Sequence, residues 1–362
     1  MSFLFGGISV EYDGSVSSLT HIISSYLALN DLERPFIAKN LYHLSRDDGL
    51  VRTIPLHDAF TIADLQSFIF DHKEHIGHPL ISALDSNVCR GEYIVNLLHG
   101  QFGEDGGAQT LATLLGLRGT FGDPNVASLT MDKYAMSAFV SSHFTGEGLK
   151  VPITKFLPER NGDNWRPFAR AIKGPIVVKP NSLGSSLFAK LFDNATDSEA
   201  EIDALLRTIF RYDSAALIQE FVPGDEYTCG CILSASEVIP LPVVKIDADM
   251  QFFGRDQKYS GKIARKCIVR SEDALSKRLQ AIAKSLASSL PFYNMVRFDF
   301  RVCDNCDVWF LECNYIPGLD KDGSFDRMLG HFGMSVVDLI SWIAVNATPF
   351  AKKDHYIEYE SL

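Results

Sequence analysis

IVVKPNSLGSS (residues 176–186) holds the parts of a phosphate-binding loop in an unfamiliar order. A Walker-A loop runs from a strand through glycines to a lysine and then Ser or Thr at the start of a helix. Here the apolar run Ile176-Val177-Val178 presents Lys179 first, and Gly184, Ser185 and Ser186 follow it. A lone lysine ending a strand is ordinarily solvated. The trailing loop shifts that expectation, because backbone N–H groups and two hydroxyls suit phosphate oxygens, with Lys179 as a point charge. Lys133, in TMDKYAM, is a candidate second phosphate cation; a helix-surface lysine is the plainer reading.

A second constellation lies downstream in MVRFDFRVCDNCDVWFLECNYIPG (295–318). Strand alternation puts Arg297 and Asp299 on one face of their strand, and Glu312 and Asn314 on one face of theirs. A two-residue turn at Asp304-Asn305 brings those faces together, so three oxygen-bearing side chains meet beside an arginine, a set suited to Mg²⁺ and phosphate. The competing reading is an exposed polar face with Arg297 paired to Asp299. Cys303 and Cys306 then stand at the shoulders of the turn, and no second close cysteine pair completes a zinc site. A third piece, LIQEFVPGDEY, offers backbone at Glu220-Phe221-Val222 for a base and Glu226 for ribose hydroxyls; taken by itself, a plain β-turn at Pro223-Gly224 with solvated acids is the better reading.

Composition bounds the rest. The chain has 362 residues, 46% hydrophobic and 22% charged, enough for two or three domains with real cores. A net charge of −11 speaks against nucleic acid as a partner. The start MSFLFGGISVEYDG has no secretory pattern, and no run approaches the roughly 18 apolar residues of a membrane span. Seven cysteines in a chain this long do not read as a disulfide framework. A cytoplasmic protein away from membranes is expected.

The first third alternates strand and helix (SFLFGG, SVSSLTHIISSYLAL, YIVNLLHG, AQTLATLLGL), which predicts a parallel α/β sheet with ligands at the strands' carboxyl ends. GDPN (122–125) marks the first boundary and VASLTMDKYAMSAFVSSH reads as one helix. The expected units are 1–122, an α/β substrate-binding domain; 123–221, a central α+β unit carrying Lys179; and 222–362, a β-rich unit carrying the hairpin.

Together these pieces resemble the ATP-grasp superfamily, and within it the D-alanine–D-alanine ligases. LFGGISVEYDGSVSS, LLHGQFGEDGGAQ, SLTMDKY, VVKPNSLGSS, QKYSG, RFDF and ECNYIPG follow in that family's order over nearly the whole chain. The resemblance implies an ATP-grasp fold behind an N-terminal parallel-sheet domain. It implies ATP with two Mg²⁺ ions, Mn²⁺ being an admissible substitute, and amino acids joined through an acyl phosphate. It also implies a homodimer and a place in peptidoglycan synthesis.

By the same resemblance, Asp299, Glu312 and Asn314 hold metal. Lys133, Lys179, Ser186, Gln219, Glu220, Val222 and Glu226 hold the nucleotide. Glu11 binds the first ammonium with His99 nearby, and Glu11, Ser185 and Tyr259 form a hydrogen-bonded triad. Arg297 and the Gly318 N–H steady the acyl phosphate and tetrahedral intermediate, while Lys258 and Ser324 meet the second substrate.

The chain also departs from the family. Ser182-Leu183 replaces an Arg-Glu pair before Gly-Ser-Ser, Phe188 replaces a glycine, Gln219 a glutamate and Asp320 a threonine. Lys262, Arg265 and Lys266 make the stretch after QKYSG more basic than the family's usual one. A ligase of specialised metabolism with a different amine or acyl substrate is therefore one alternative. A non-catalytic nucleotide-binding regulator is another.

Overall fold

A computed structural model describes residues 1–57, 59–85, 91–144, 148–247 and 265–351. Strands β1 (Ser2–Gly6), β2 (Asn40–Leu44), β3 (Leu50–Pro55), β4 (His78–Pro79), β5 (Tyr93–Asn96) and β6 (Arg118–Gly119) form one sheet in the order β4-β3-β2-β1-β5-β6. Its centre, β2-β1-β5-β6, is parallel as the sequence predicts, and β3 and β4 add an antiparallel flank. Alternation on β1 covers both faces. Phe3 and Phe5 enter one core with Leu19, Ile22 and Ile23 of helix Tyr12–Leu27, while Leu4 enters another with Leu98 and Ala112. Each such side chain contributes about 1.5–3 kcal/mol by leaving water. This packing fixes the carboxyl ends of β1 and β5, where the loops bearing Glu11 and His99 begin.

The central sheet is β8 (Thr154–Pro158), β9 (Ile176–Pro180), β10 (Lys190–Phe192) and β11 (Ala215–Glu220), ordered β10-β9-β11-β8 and antiparallel throughout. Helix Glu199–Ile209 seals it with a core of its own, including Trp165, Ile176, Val178, Ile202 and Ile218.

The third sheet, β15-β14-β12-β16-β17-β7, combines β7 (Leu149–Lys150), β12 (Asp225–Leu233), β14 (Val244–Asp247), β15 (Arg265–Ile268), β16 (Met295–Val302) and β17 (Val308–Asn314). Short β13 (Val238–Pro240) pairs with β12. This sheet shares one core with the first, joined by Val126, Ala127, Met136 and Val140.

Two local expectations change. The single helix expected over VASLTMDKYAMSAFVSSH is two, Pro124–Met131 and Lys133–His143. Asp132 leaves helical geometry between them and caps the second by accepting from the Ala135 N–H at 2.8 Å. Lys133 therefore opens a helix instead of lying along one. The β16–β17 connection is also longer than a two-residue turn. Cys306 N donates to Cys303 O (2.8 Å) and Cys303 N to Asp307 O (3.1 Å), with Cys306 left-handed at φ 64°. That is the geometry of a three-residue loop with a bulge. Among the described residues no single helix is long and apolar enough to cross a membrane.

Candidate active site

The central and third sheets face one another across a cleft of about 820 Å³, counting its open mouth. From the central side come Lys179 on β9, Gln219 and Glu220 on β11, and Ser186 from the loop after β9. From the other come Glu226 on β12, Asp299 on β16 and Glu312 on β17, with Val222 at the link between the sheets and Lys133 at its helix start. All seven residues assigned to the nucleotide from sequence thus line one space. Lys179 is drawn down to about 8 by burial, with Glu312 opposing that shift and Lys133 adding to it. Lys133 Nζ donates to Leu183 O (2.7 Å) and lies 4.0 Å from Glu312 Oε2. The Gln219 and Glu220 side chains are engaged along β8: Gln219 Nε2 donates to Thr154 Oγ1 (2.8 Å), and Glu220 Oε1 accepts from Ile153 N (2.7 Å).

The hairpin register pairs Arg297 with Asn314 and Asp299 with Glu312, so the four side chains expected on one face share it. Phe298 and Phe300, alternating with them, are fully buried. Arg297 Nη1 donates to Thr228 Oγ1 (2.9 Å) and to Asp299 Oδ1, while Asn314 Nδ2 donates to Asp299 Oδ2 (3.0 Å). The Arg297–Asp299 pair is therefore present, but it is buried inside the cleft and not spread on a solvated face. Burial raises Asp299 to about 6; Arg297 opposes that rise and Glu312 reinforces it. Two carboxylates set directly across a hairpin repel, and a hard cation relieves the repulsion. Among the described residues no group of three or more His, Cys, Asp or Glu side chains forms a metal cluster. With the Asn314 amide as third oxygen, the donor set fits a Mg²⁺ ion that keeps water and phosphate ligands.

At the first sheet's edge, Ser185 Oγ donates to Glu11 Oε1 at 2.9 Å, so two of the three expected triad members meet. Gly184 makes this approach possible: a Cβ there would lie 2.3–2.5 Å from the Glu11 carboxylate. Ser185, Ser186 and Phe188 hold φ of 54°, 53° and 55°, a strained run for residues with side chains. Phe188 stacks on Tyr212, ring centres 5.3 Å apart. His99 is buried beside Glu11, its Nε2 3.2 Å from Ser18 Oγ; burial lowers its pKa.

Lys258 and Tyr259 fall outside the described residues. Gly318 lies in the loop after β17, and Ser324 begins helix Ser324–Phe332, on the far side of Asp320. The Asp320 carboxylate folds back over this loop, its Oδ1 3.1 Å from where a Gly318 Cβ would be and 2.8 Å from that of Gly323. Lys266 Nζ donates to Asp322 O at 3.3 Å.

Sequence reading passed over several participants. Arg301 donates to Glu226 Oε2 (3.0 Å) and Val222 O (3.2 Å); its position two residues beyond Asp299 was the available signal. Glu104, inside the quoted HGQFGEDGG loop, accepts from Gly100 N and Ile316 N, each at 2.8 Å. Ser18 accepts from Leu319 N at 3.0 Å, and nothing in its local sequence announces this.

Residues 151–344 match the family model described as D-ala D-ala ligase C-terminus. A D-alanine–D-alanine ligase of Porphyromonas gingivalis is 28% identical over 95% of this chain and 96% of its own length. One from Aquifex aeolicus is 30% identical over 68% of this chain and 79% of its own. Among solved structures, the VanG D-Ala:D-Ser ligase from Enterococcus faecalis has a TM-score of 0.73 at 23% identity, covering 95% of this chain and 97% of that one. At that identity the likeness speaks for the ATP-grasp fold alone. The family match over more than half of the chain and the Aquifex relative go further, and on them this chain belongs to the D-alanine–D-alanine ligase family.

Proposed function

We infer that the protein is an ATP-dependent ligase that joins two amino acids, D-alanine to D-alanine, through an acyl phosphate. Condensing a carboxylate with an amine in water is uphill, so the carboxylate needs activation. Negative charge gathers on the phosphoryl group in transfer, and positioned cations stabilise it. The observation that carries the reading is the joining of two sites. The cleft with Lys133, Lys179, Asp299 and Glu312 runs behind the loop whose Ser185 reaches Glu11, an ammonium-binding carboxylate.

In this reading Asp299, Glu312 and Asn314 hold Mg²⁺, which shields phosphate charge when bound. Lys179 and Lys133 hold phosphate oxygens; Lys133 is already fastened to the Leu183 carbonyl in the loop after β9, so that loop and the phosphate share one cation. Arg297, oriented by Thr228, meets the activated carboxyl. Lys258 and Ser324 would meet the second substrate, and Tyr259 would complete the triad with Glu11 and Ser185. A homodimeric, cytoplasmic enzyme serving peptidoglycan synthesis is part of the same proposal.

The Asp320 carboxylate beside Gly318 favours one variant of this reading, a ligase whose amine substrate is not D-alanine. ADP release with Mg²⁺-ATP and D-alanine, run beside a panel of L- and D-amino acids with product mass, tests both. A D-Ala-D-Ala mass establishes the first. Turnover only with another pair establishes the second, and ATP binding without turnover in any tube overturns both.

A further inference from the structure

The loop after β17, residues 315–320, belongs to the third sheet, yet the first domain holds it in place. Glu104 Oε1 accepts from Ile316 N at 2.8 Å, across 212 residues of sequence. Ser18 Oγ accepts from Leu319 N at 3.0 Å and pairs with His99 Nε2 at 3.2 Å. Tyr315 Oη donates to Phe121 O and Asp123 O at 3.3 and 3.4 Å. Gly122, with φ 76°, permits that contact, since a Cβ there would lie 2.1 Å from the Tyr315 oxygen. Pro317 carries no N–H. Within 316–319 the Gly318 N–H is then left without an acceptor among the described residues, flanked by amides that are both engaged.

Resting on the ligase reading above, we propose that Glu104, with Ser18, is a positioning residue for the peptide-forming half-reaction. The two hold the backbone on either side of Gly318 so that its N–H points at the carbonyl oxygen of the activated first substrate. Glu104 is suited to this because its other oxygen holds Gly100 N, in the loop beside Glu11. One carboxylate thereby registers the first-substrate loop against the oxyanion loop. An N–H aimed at developing charge helps only when its direction is held, so a small loosening costs rate in the step that makes the tetrahedral intermediate. Phosphoryl transfer, which needs no such donor, is spared.

The test separates the two half-reactions. Wild type, Glu104→Gln and Ser18→Ala are assayed for ADP release with the first amino acid, kept too dilute to fill the second site, and hydroxylamine, raised until the rate no longer depends on it, so that forming the acyl phosphate it traps as hydroxamate is the step read. They are then assayed for dipeptide with both amino acids. The amide of Glu104→Gln offers an N–H to one of two N–H groups, and Ser18→Ala leaves Leu319 N unanswered. Both variants are expected to lose about 10- to 100-fold in dipeptide kcat, with hydroxamate formation and the KM for ATP within about twofold of wild type. Unchanged dipeptide rates, or hydroxamate and dipeptide falling together, overturn the proposal. Should Glu104→Gln not fold, Ser18→Ala decides by the same ratio. A wild type silent in both assays defeats the ligase reading itself, and the proposal with it.

Discussion

Lys179 takes its proton on terms set by the cleft. Its ordinary value of 10.5 falls to about 8 through burial. Below about 8 it is charged and attracts phosphate, so ATP affinity is expected to decline as pH rises through 8. Phosphate restores the higher value, so binding near pH 8 should take up a proton, seen as a buffer-dependent binding enthalpy that Lys179→Met abolishes. The sign for the free protein is the reverse. The unfolded chain binds more protons between about 8 and 10.5, so stability should rise with pH across that window in wild type and stay flatter in the variant. Lys179→Met should also lower kcat/KM for ATP by about 100-fold or more, measured as ADP release. Lys179 and the alternating hairpin residues were legible in sequence, because side-chain identity and strand period are local properties. The displacement of Lys179 was not, since it depends on burial by cleft walls drawn from distant segments, with Lys133 adding to the shift and Glu312 opposing it.

At the scale of elements, the loop after β9 and the β16–β17 hairpin carry the strain. Gly184→Ala would push a methyl group into the Glu11 carboxylate, and is expected to raise the KM for the first amino acid about tenfold with little change in Tm. Steady-state kinetics against that substrate alone would check it. In the β16–β17 loop Cys306 sits left-handed and exposed, so Cys306→Gly should stabilise the protein by about 0.5–1 kcal/mol in urea unfolding. The two-residue turn expected from sequence fails here for a physical reason. DNCD carries the polar residues of a turn, but a residue bearing a side chain took the position that glycine would have marked. The break at Asp132 was missed similarly: the apolar spacing continues through it, whereas capping of the second helix is visible only as a hydrogen bond.

For the whole molecule, the first and third sheets share a core while the central sheet keeps its own. On the proposed reading nucleotide in the cleft meets both walls, so at 100 times its Kd it should add about 2.7 kcal/mol to stability. Hydrogen exchange should slow in β9, β12 and β17 together; protection confined to one wall would contradict a nucleotide held between them. Sequence by itself determined the strands that carry Lys179 and the hairpin, the shared face of Arg297, Asp299, Glu312 and Asn314, and the order of the family's motifs. All of these follow from periodicity and residue type within short windows. The family resemblance implied that Ser185 meets Glu11, but only the tertiary structure brought them together across 174 residues, and only it decided that Glu104 meets Ile316 across 212. These are single hydrogen bonds between segments whose approach is set by how the cores pack, and no local pattern encodes that distance.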